Sequence, residues 1–207
     1  MRRHGQDALR AFLLDAAGRL LAEEGAGALT MRRVAAEVGC STTVLYTLFG
    51  SKDGLAAGLY REGFERFRRR LAALPPAPDP MARLYAISAA YRESALAEPN
   101  YYRVMFLGAI PGYVPGDAAL AAGAATFTFL IDAVRDCMDA GIYRPGDPVA
   151  VAEVLVAAAH GVISFELAGV FAPSEERYAA AGRAVIEWFV SPGGAAGPVD
   201  QGEQPPP

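Results

Sequence analysis

One spacing dominates the chain and is interrupted only by glycines and prolines. Apolar residues return every three to four positions, as in Leu9, Phe12, Leu13, Ala16 and Leu20, or Phe127, Ile131, Val134 and Met138, or Tyr178, Ala181, Val185 and Trp188. That period is the signature of helices with one buried stripe. Sustained period-two alternation is missing, and so are Asn-Gly or Asp-Gly turns between β-branched runs. An all-α chain of about nine helices follows. The spacing predicts helices over about 9–24, 31–38, 42–49, 52–71, 81–97, 101–109, 117–140, 148–171 and 174–190. Thr30, Ser41 and Ser51 stand where a side-chain oxygen can accept the free N–H groups of a first turn. Gly25, Gly39, Gly141 and the prolines 99, 111 and 145 supply the stops. The stretch Pro75–Pro80 marks a linker.

Charge is divided unevenly. The 207 residues carry a net charge of −4, but residues 1–70 hold 12 basic and 8 acidic side chains, whereas residues 71–207 hold 7 and 15. A basic first third on an acidic body suits a protein of which one part meets phosphate. The charged start MRRHGQDALR has no apolar core for a signal peptide. Val149–Phe171 is apolar enough to suggest a membrane span. Glu153, His160 and Glu166 along it would be costly in lipid, so a buried helix of a soluble, cytoplasmic protein is expected, with no membrane partner. Cys40 and Cys137 have neither metal nor redox spacing. The tail at 191–207, SPGGAAGPVDQGEQPPP, is expected to be disordered.

The most informative segment is Leu29–Asp53, LTMRRVAAEVGCSTTVLYTLFGSKD. A short helix, a glycine turn and a second short helix make a helix-turn-helix. The second helix of that motif enters the major groove with its N-terminal residues at the base edges. Those residues are Ser41, Thr42 and Thr43, with Tyr46 and Thr47 one turn on, while Val44, Leu45, Leu48 and Phe49 face inward. Small hydroxylated side chains permit close approach and can bond phosphates or bases. Ser41 is also expected to cap its helix. Lys52 opposes the dipole of the helix it opens, and a phosphate there would relieve the conflict. Arg32 and Arg33 can clamp backbone, and Arg2, Arg3 and Arg10 can form a flexible basic arm. Double-stranded DNA is therefore the expected partner. An enzyme would need chemistry the sequence does not offer: there is no nucleophile–base motif, metal spacing or phosphate loop, and the histidines are His4 and His160 alone. No cofactor and no metal are expected.

LLDAAGRLLAEEGAGALTMRRVAAEVGCSTTVLYTLFGSKDGL resembles the N-terminal domain of the TetR family of transcriptional regulators, through the spacing of Gly25, Thr30, Ala35, Gly39, Ser41, Leu45-Tyr46, Phe49 and Ser51-Lys52. The resemblance implies that Thr30, Arg33, Thr42, Thr43, Tyr46, Thr47 and Lys52 occupy DNA-touching positions. Thr43 stands where the family often has glycine and Leu48 where it often has histidine, so no operator preference carries over. HGVISFELAG resembles C-terminal domains named for a Trp-His-Gly signature, without the tryptophan. The implied organisation is a helix-turn-helix domain at 1–53 and a larger helical ligand-binding and dimerisation domain at 54–190. The implied partners are an unidentified small-molecule effector, which releases the repressor from a palindromic operator, and a second copy bound through the last two helices. The alternative is a helical small-molecule binder without sequence-specific DNA binding. Pockets for small molecules are mostly apolar with a few polar groups. Candidates for the lining are Tyr85, Tyr91, Tyr101, Tyr102, Met105, Phe106, Phe127, His160 and Phe165. Glu166 is expected to pair with an arginine.

Overall fold

A computed structural model describes residues 2–192, with side chains from residue 5 onward. Residues 193–207 of the tail expected to be disordered lie outside the described residues, as do the side chains of Arg2 and Arg3. Nine α-helices account for most of the described chain: α1 Arg2–Glu24, α2 Met31–Glu37, α3 Thr42–Phe49, α4 Lys52–Ala72, α5 Pro80–Ala97, α6 Pro99–Phe106, α7 Asp117–Asp139, α8 Pro148–Leu167 and α9 Glu175–Phe189. No strand forms among the described residues; one antiparallel bridge joins Tyr143 to Val190.

Caps place most of the helix starts. Asp79 Oδ1 accepts from Ala82 N at 2.8 Å ahead of Pro80, and Asp147 Oδ1 accepts from Val149 N at 2.9 Å ahead of Pro148. Proline is preorganised for a first turn and has no N–H to leave unpaired. The same rule corrects one expected boundary. Pro99 ends α5 but also opens α6, which then stops at Phe106 rather than Ala109. Likewise α8 ends at Leu167, because Gly169 turns the chain at φ 73°.

Two apolar cores form. The first joins Leu13, Leu14 and Leu20 of α1, Val34 of α2, Leu45 of α3, Leu55 and Leu59 of α4 and Val104 of α6. The second joins Leu84 and Ile87 of α5, Val134 and Cys137 of α7, Ile163 of α8 and Ile186 of α9. Helix α4 belongs to both: Leu55 to Phe64 lie in the first, Phe67 and Leu71 in the second. The first core thus runs past residue 53 into α4 and α6.

Two expected stripes, and one helix expected to be buried, are less covered than the sequence suggests. Phe12 is 53% exposed on α1, and Trp188 is 74% exposed on α9. Helix α8 buries Val151, Ala152, Ile163 and Glu166 but exposes Val149, Val154, Ala157 and Phe165. Only one side of it meets the rest of the chain, so its near-uniform apolarity does not mean burial on all sides. By length and composition α7 and α8 could each cross a membrane.

Candidate functional site

The helix-turn-helix is assembled from backbone geometry first. Thr30 Oγ1 accepts from Arg33 N at 3.1 Å and starts α2. Gly39, at φ 68°, makes the turn that lets Cys40 N donate to Ala35 O at 3.0 Å. Gly50, at φ 73°, ends α3, with its N–H on Tyr46 O at 2.9 Å. A side chain at either glycine would be strained there. Ser41 holds the N-cap position of α3, but its side chain makes no capping hydrogen bond. Its hydroxyl is thereby left exposed and uncommitted, contrary to the expected capping role. Losing the Thr30 cap is expected to cost about 1 kcal/mol. Thr30→Ala should lower the melting temperature by about 2–4 °C, measured by circular dichroism.

Helix α3 divides cleanly by face. Leu45 and Phe49 are buried, and Val44 and Leu48 are half-buried against the first core. Thr43, Tyr46 and Thr47 are exposed and Thr42 is half-buried. Tyr46, 54% exposed, projects from the surface. Thr47 donates its hydroxyl to Thr43 O at 2.8 Å, which leaves its methyl and its oxygen lone pairs for a partner. Lys52 and Asp53 are exposed in the first turn of α4, where Ser51 Oγ accepts from Gly54 N at 3.0 Å.

The arginines behave differently from one another. Arg32 is exposed and makes no ion pair among the described residues. Arg33 instead pairs through Nε and Nη2 with Glu24 and through Nη1 with Glu37 at 2.9 Å. Its hydrogen bonds to the Glu24 and Glu37 carboxylates raise its pKa above the ordinary arginine value. These pairs hold α2 against α1 while the Arg33 side chain stays partly exposed. Arg10 is not part of a flexible arm. It lies within α1, donates to Leu48 O at 2.9 Å and stacks its guanidinium 4.6 Å from the Phe49 ring centroid. This ties α1 to the C-terminal end of α3, where a cation is favourable.

A cavity of about 270 Å³ lies on the other side of α4, among α5, α7, α8 and α9. Tyr91, Phe106 and Phe127 line it as expected; Phe64, Phe67, Ser88, Thr126, Ala159 and Tyr178 also line it and were not foreseen. Their signal was available in part, since Phe64, Phe67 and Leu71 follow helical spacing along α4. The other expected lining residues lie elsewhere. Tyr85 is exposed, and Phe165 packs on Phe171 at the surface. Tyr101, Tyr102 and Met105 face a small separate crevice beside α6. His160 sits behind the cavity wall, with Nδ1 2.7 Å from the Tyr102 hydroxyl and 3.3 Å from that of Tyr91. Burial lowers its pKa, so the neutral imidazole is favoured. Tyr91 donates to the Tyr102 oxygen at 3.3 Å. That direction makes His160 Nδ1 the acceptor at the end of the chain.

Two polar nodes hold the elements around these sites. Arg66 of α4 reaches Asp15 of α1 at 2.8 Å, Glu62 at 2.8 Å and Glu98 at 2.6 Å, and lies 4.6 Å over the Tyr101 ring. Burial alone would depress its pKa; the bonds it donates to Glu98, Glu62 and Asp15 more than reverse this. Glu166, fully buried, accepts from Arg92 Nη2 at 3.1 Å and from the backbone N–H of Ser174 at 2.8 Å.

Comparison with known proteins agrees with this architecture. A family model described as "Bacterial regulatory proteins, tetR family" matches residues 13–59. A second, "Tetracyclin repressor-like, C-terminal domain", matches residues 84–189, just over half of the chain, and includes His160 and Gly161. Among solved structures, a protein of unknown function from Rhodococcus sp. RHA1 is 28% identical, with a TM-score of 0.76 over 88% of this chain and 96% of its own. The TetR family transcriptional regulator PfmR from Thermus thermophilus is 19% identical, with a TM-score of 0.70 over 84% and 97%. A TetR family transcription regulator from Marinobacter aquaeolei VT8 is 18% identical, with a TM-score of 0.73 over 92% and 99%. At these last two identities the likeness is one of fold. No curated protein matches the sequence. The matched models cover both the helix-turn-helix and the helical body behind it, so the chain belongs to the TetR family and is a DNA-binding transcriptional regulator rather than an enzyme.

Proposed function

We propose that the protein is a cytoplasmic repressor that binds a palindromic operator as a homodimer and is released by a small-molecule effector. The observation that carries this reading is the polar outer face of α3, seated on a buried inner face and joined through α4 to the walls of an apolar cavity. Residues 1–53 form the reading domain and residues 54–190 the effector-binding and dimerising domain. Ser41, Thr42, Thr43, Tyr46 and Thr47 meet the bases and nearby phosphates. Thr30, Arg32, Arg33 and Lys52 clamp the backbone on either side, and Arg33 also orients α2.

Dimerisation through α8 and α9 accounts for their outward faces. Val149, Val154 and Ala157 of α8 and Ala180, Ala184 and Trp188 of α9 are exposed. Contiguous exposed apolar surface marks an interface, and an unburied tryptophan is a frequent anchor in one. The same pairing covers apolar surface that would otherwise suit lipid, so no membrane is needed. A twofold dimer carries two reading helices to half-sites one helical turn, or a multiple of it, apart.

Fluorescence anisotropy of the protein with its own upstream intergenic duplex, against a scrambled duplex, tests the reading head. Selective binding that weakens steeply with added salt is expected. The combined change Thr43→Ala and Tyr46→Ala should weaken it by about tenfold to a hundredfold, with unchanged helicity. Equal and weak binding to the native duplex, the scrambled duplex and a genomic fragment pool would turn the protein into a small-molecule binder without sequence-specific DNA binding.

A further inference from the structure

The cavity wall holds no charged side chain, and its four hydroxyls are already committed as donors. Tyr178 donates to the backbone carbonyl of Ser88 at 3.0 Å. Its oxygen then receives the Ser88 hydroxyl, also at 3.0 Å. Thr126 donates to Gly123 O within its own helix at 2.7 Å. Tyr91 donates away from the cavity to Tyr102. The backbone N–H groups of the lining helices serve those helices. What remains toward the cavity is hydrocarbon, aromatic faces and oxygen lone pairs, with no free O–H or N–H.

Such a wall discriminates by chemistry. A carboxylate or phosphate entering it would lose its hydration and find neither a cation nor a donor, which is costly. A carbonyl would gain a donor only by breaking one of the hydrogen bonds already made at the wall. A neutral hydroxyl or N–H can donate to the lone pairs of Ser88, whose hydroxyl bonds across the wall to the Tyr178 oxygen rather than to its own helix. Building on the reading of this cavity as the effector site, we propose that it admits an uncharged, largely hydrocarbon molecule with a single hydrogen-bond donor, seated at Ser88 and Tyr178, and that it excludes carboxylates.

The test uses the full chain and N-phenyl-1-naphthylamine, a neutral amine that fluoresces in apolar surroundings. Saturable binding of one probe per chain is expected, with displacement by 1-decanol. Decanoate should displace it about a thousandfold less well at pH ~8, because only its neutral acid enters. Its potency should rise about tenfold for each unit of lowered pH. Decyl methyl ether, which lacks a donor, should be about fivefold weaker than 1-decanol, and Ser88→Ala should erase that difference. Ala159→Trp should fill the cavity and abolish probe binding while circular dichroism stays native. The proposal is overturned if decanoate competes as well as 1-decanol at pH ~8, if ether and alcohol are equivalent in the native protein, or if 1-decanol does not displace the probe. None of these comparisons needs a variant. A folded Ala159→Trp protein that still binds the probe would also overturn it. DNA anisotropy in the presence of 1-decanol separates the two readings. Binding without DNA release keeps the ligand class and removes the release mechanism. DNA release by decanoate at pH ~8, equal to that by 1-decanol, removes the ligand class and keeps the mechanism.

Discussion

Glu166→Ala is expected to destabilise the fold by about 3–5 kcal/mol, the usual consequence of stranding one half of a buried ion pair. The Glu166 side chain has no solvent exposure and Arg92 has 14%, so the guanidinium would stay desolvated without its counter-charge. Arg92 Nε is already buried without a partner, which leaves little slack for a new arrangement. The N–H of Ser174 would be stranded as well, and Ser174 caps α9 through Arg177 N at 3.1 Å. The damage should therefore centre on the α8–α9 turn and reach Tyr178 in the cavity wall. Urea unfolding with an unchanged m-value measures the loss. The double change Arg92→Met and Glu166→Leu should recover much of it, because removing both charges leaves only the Ser174 N–H without its partner. A single variant within about 1 kcal/mol of the native protein would show that the pair carries little weight.

Arg66→Met is the second large effect, with an expected loss of about 3 kcal/mol. The methionine keeps much of the aliphatic stem but leaves Asp15, Glu62 and Glu98 facing one another without a cation. Their mutual repulsion should make the variant relatively more stable at lower pH and at higher salt. The three carboxylates come from α1, α4 and the α5–α6 junction, so the variant also loosens the reading head from the helical body. Its coupling between effector and DNA should fall by about 0.5–2 kcal/mol, read as a smaller shift of DNA affinity on adding 1-decanol. An unaltered shift in a destabilised protein would limit Arg66 to a structural role.

The reading head was largely legible in the sequence because its determinants are local. Thr30 and Ser51 cap as their positions suggest, and α3 spans Thr42–Phe49 with the inward face expected. What escaped there depended on partners distant in the chain. Nothing near Arg33 says that Glu24 lies within reach, and nothing near Arg10 points to the carbonyl of Leu48. The cavity was legible only as a tendency. Aromatic composition marked Tyr91, Phe106 and Phe127, yet it marked Tyr85 and Phe165 equally, and helical phase alone does not say which face of a helix meets which neighbour. Ala159 and Gly182 line the cavity by being small, a signal that reads as close packing until the neighbours are known. The Glu166–arginine pair was anticipated because a carboxylate on so apolar a helix needs a counter-charge.

Helix α4 passes from the first core into the second, and geometry alone makes that consequential. Lys52 at its start and Phe67 at the cavity are fifteen residues apart, about 22 Å at the rise of an α-helix. A turn of about 5° around the cavity end would carry the far end through an arc of about 2 Å. In a twofold dimer both arms swing, and the distance between the two reading helices can change by about 4 Å. Hydrogen bonds to base edges tolerate only a few tenths of an ångström. A ligand that does no more than nudge two phenylalanines can therefore put both helices out of step with the grooves.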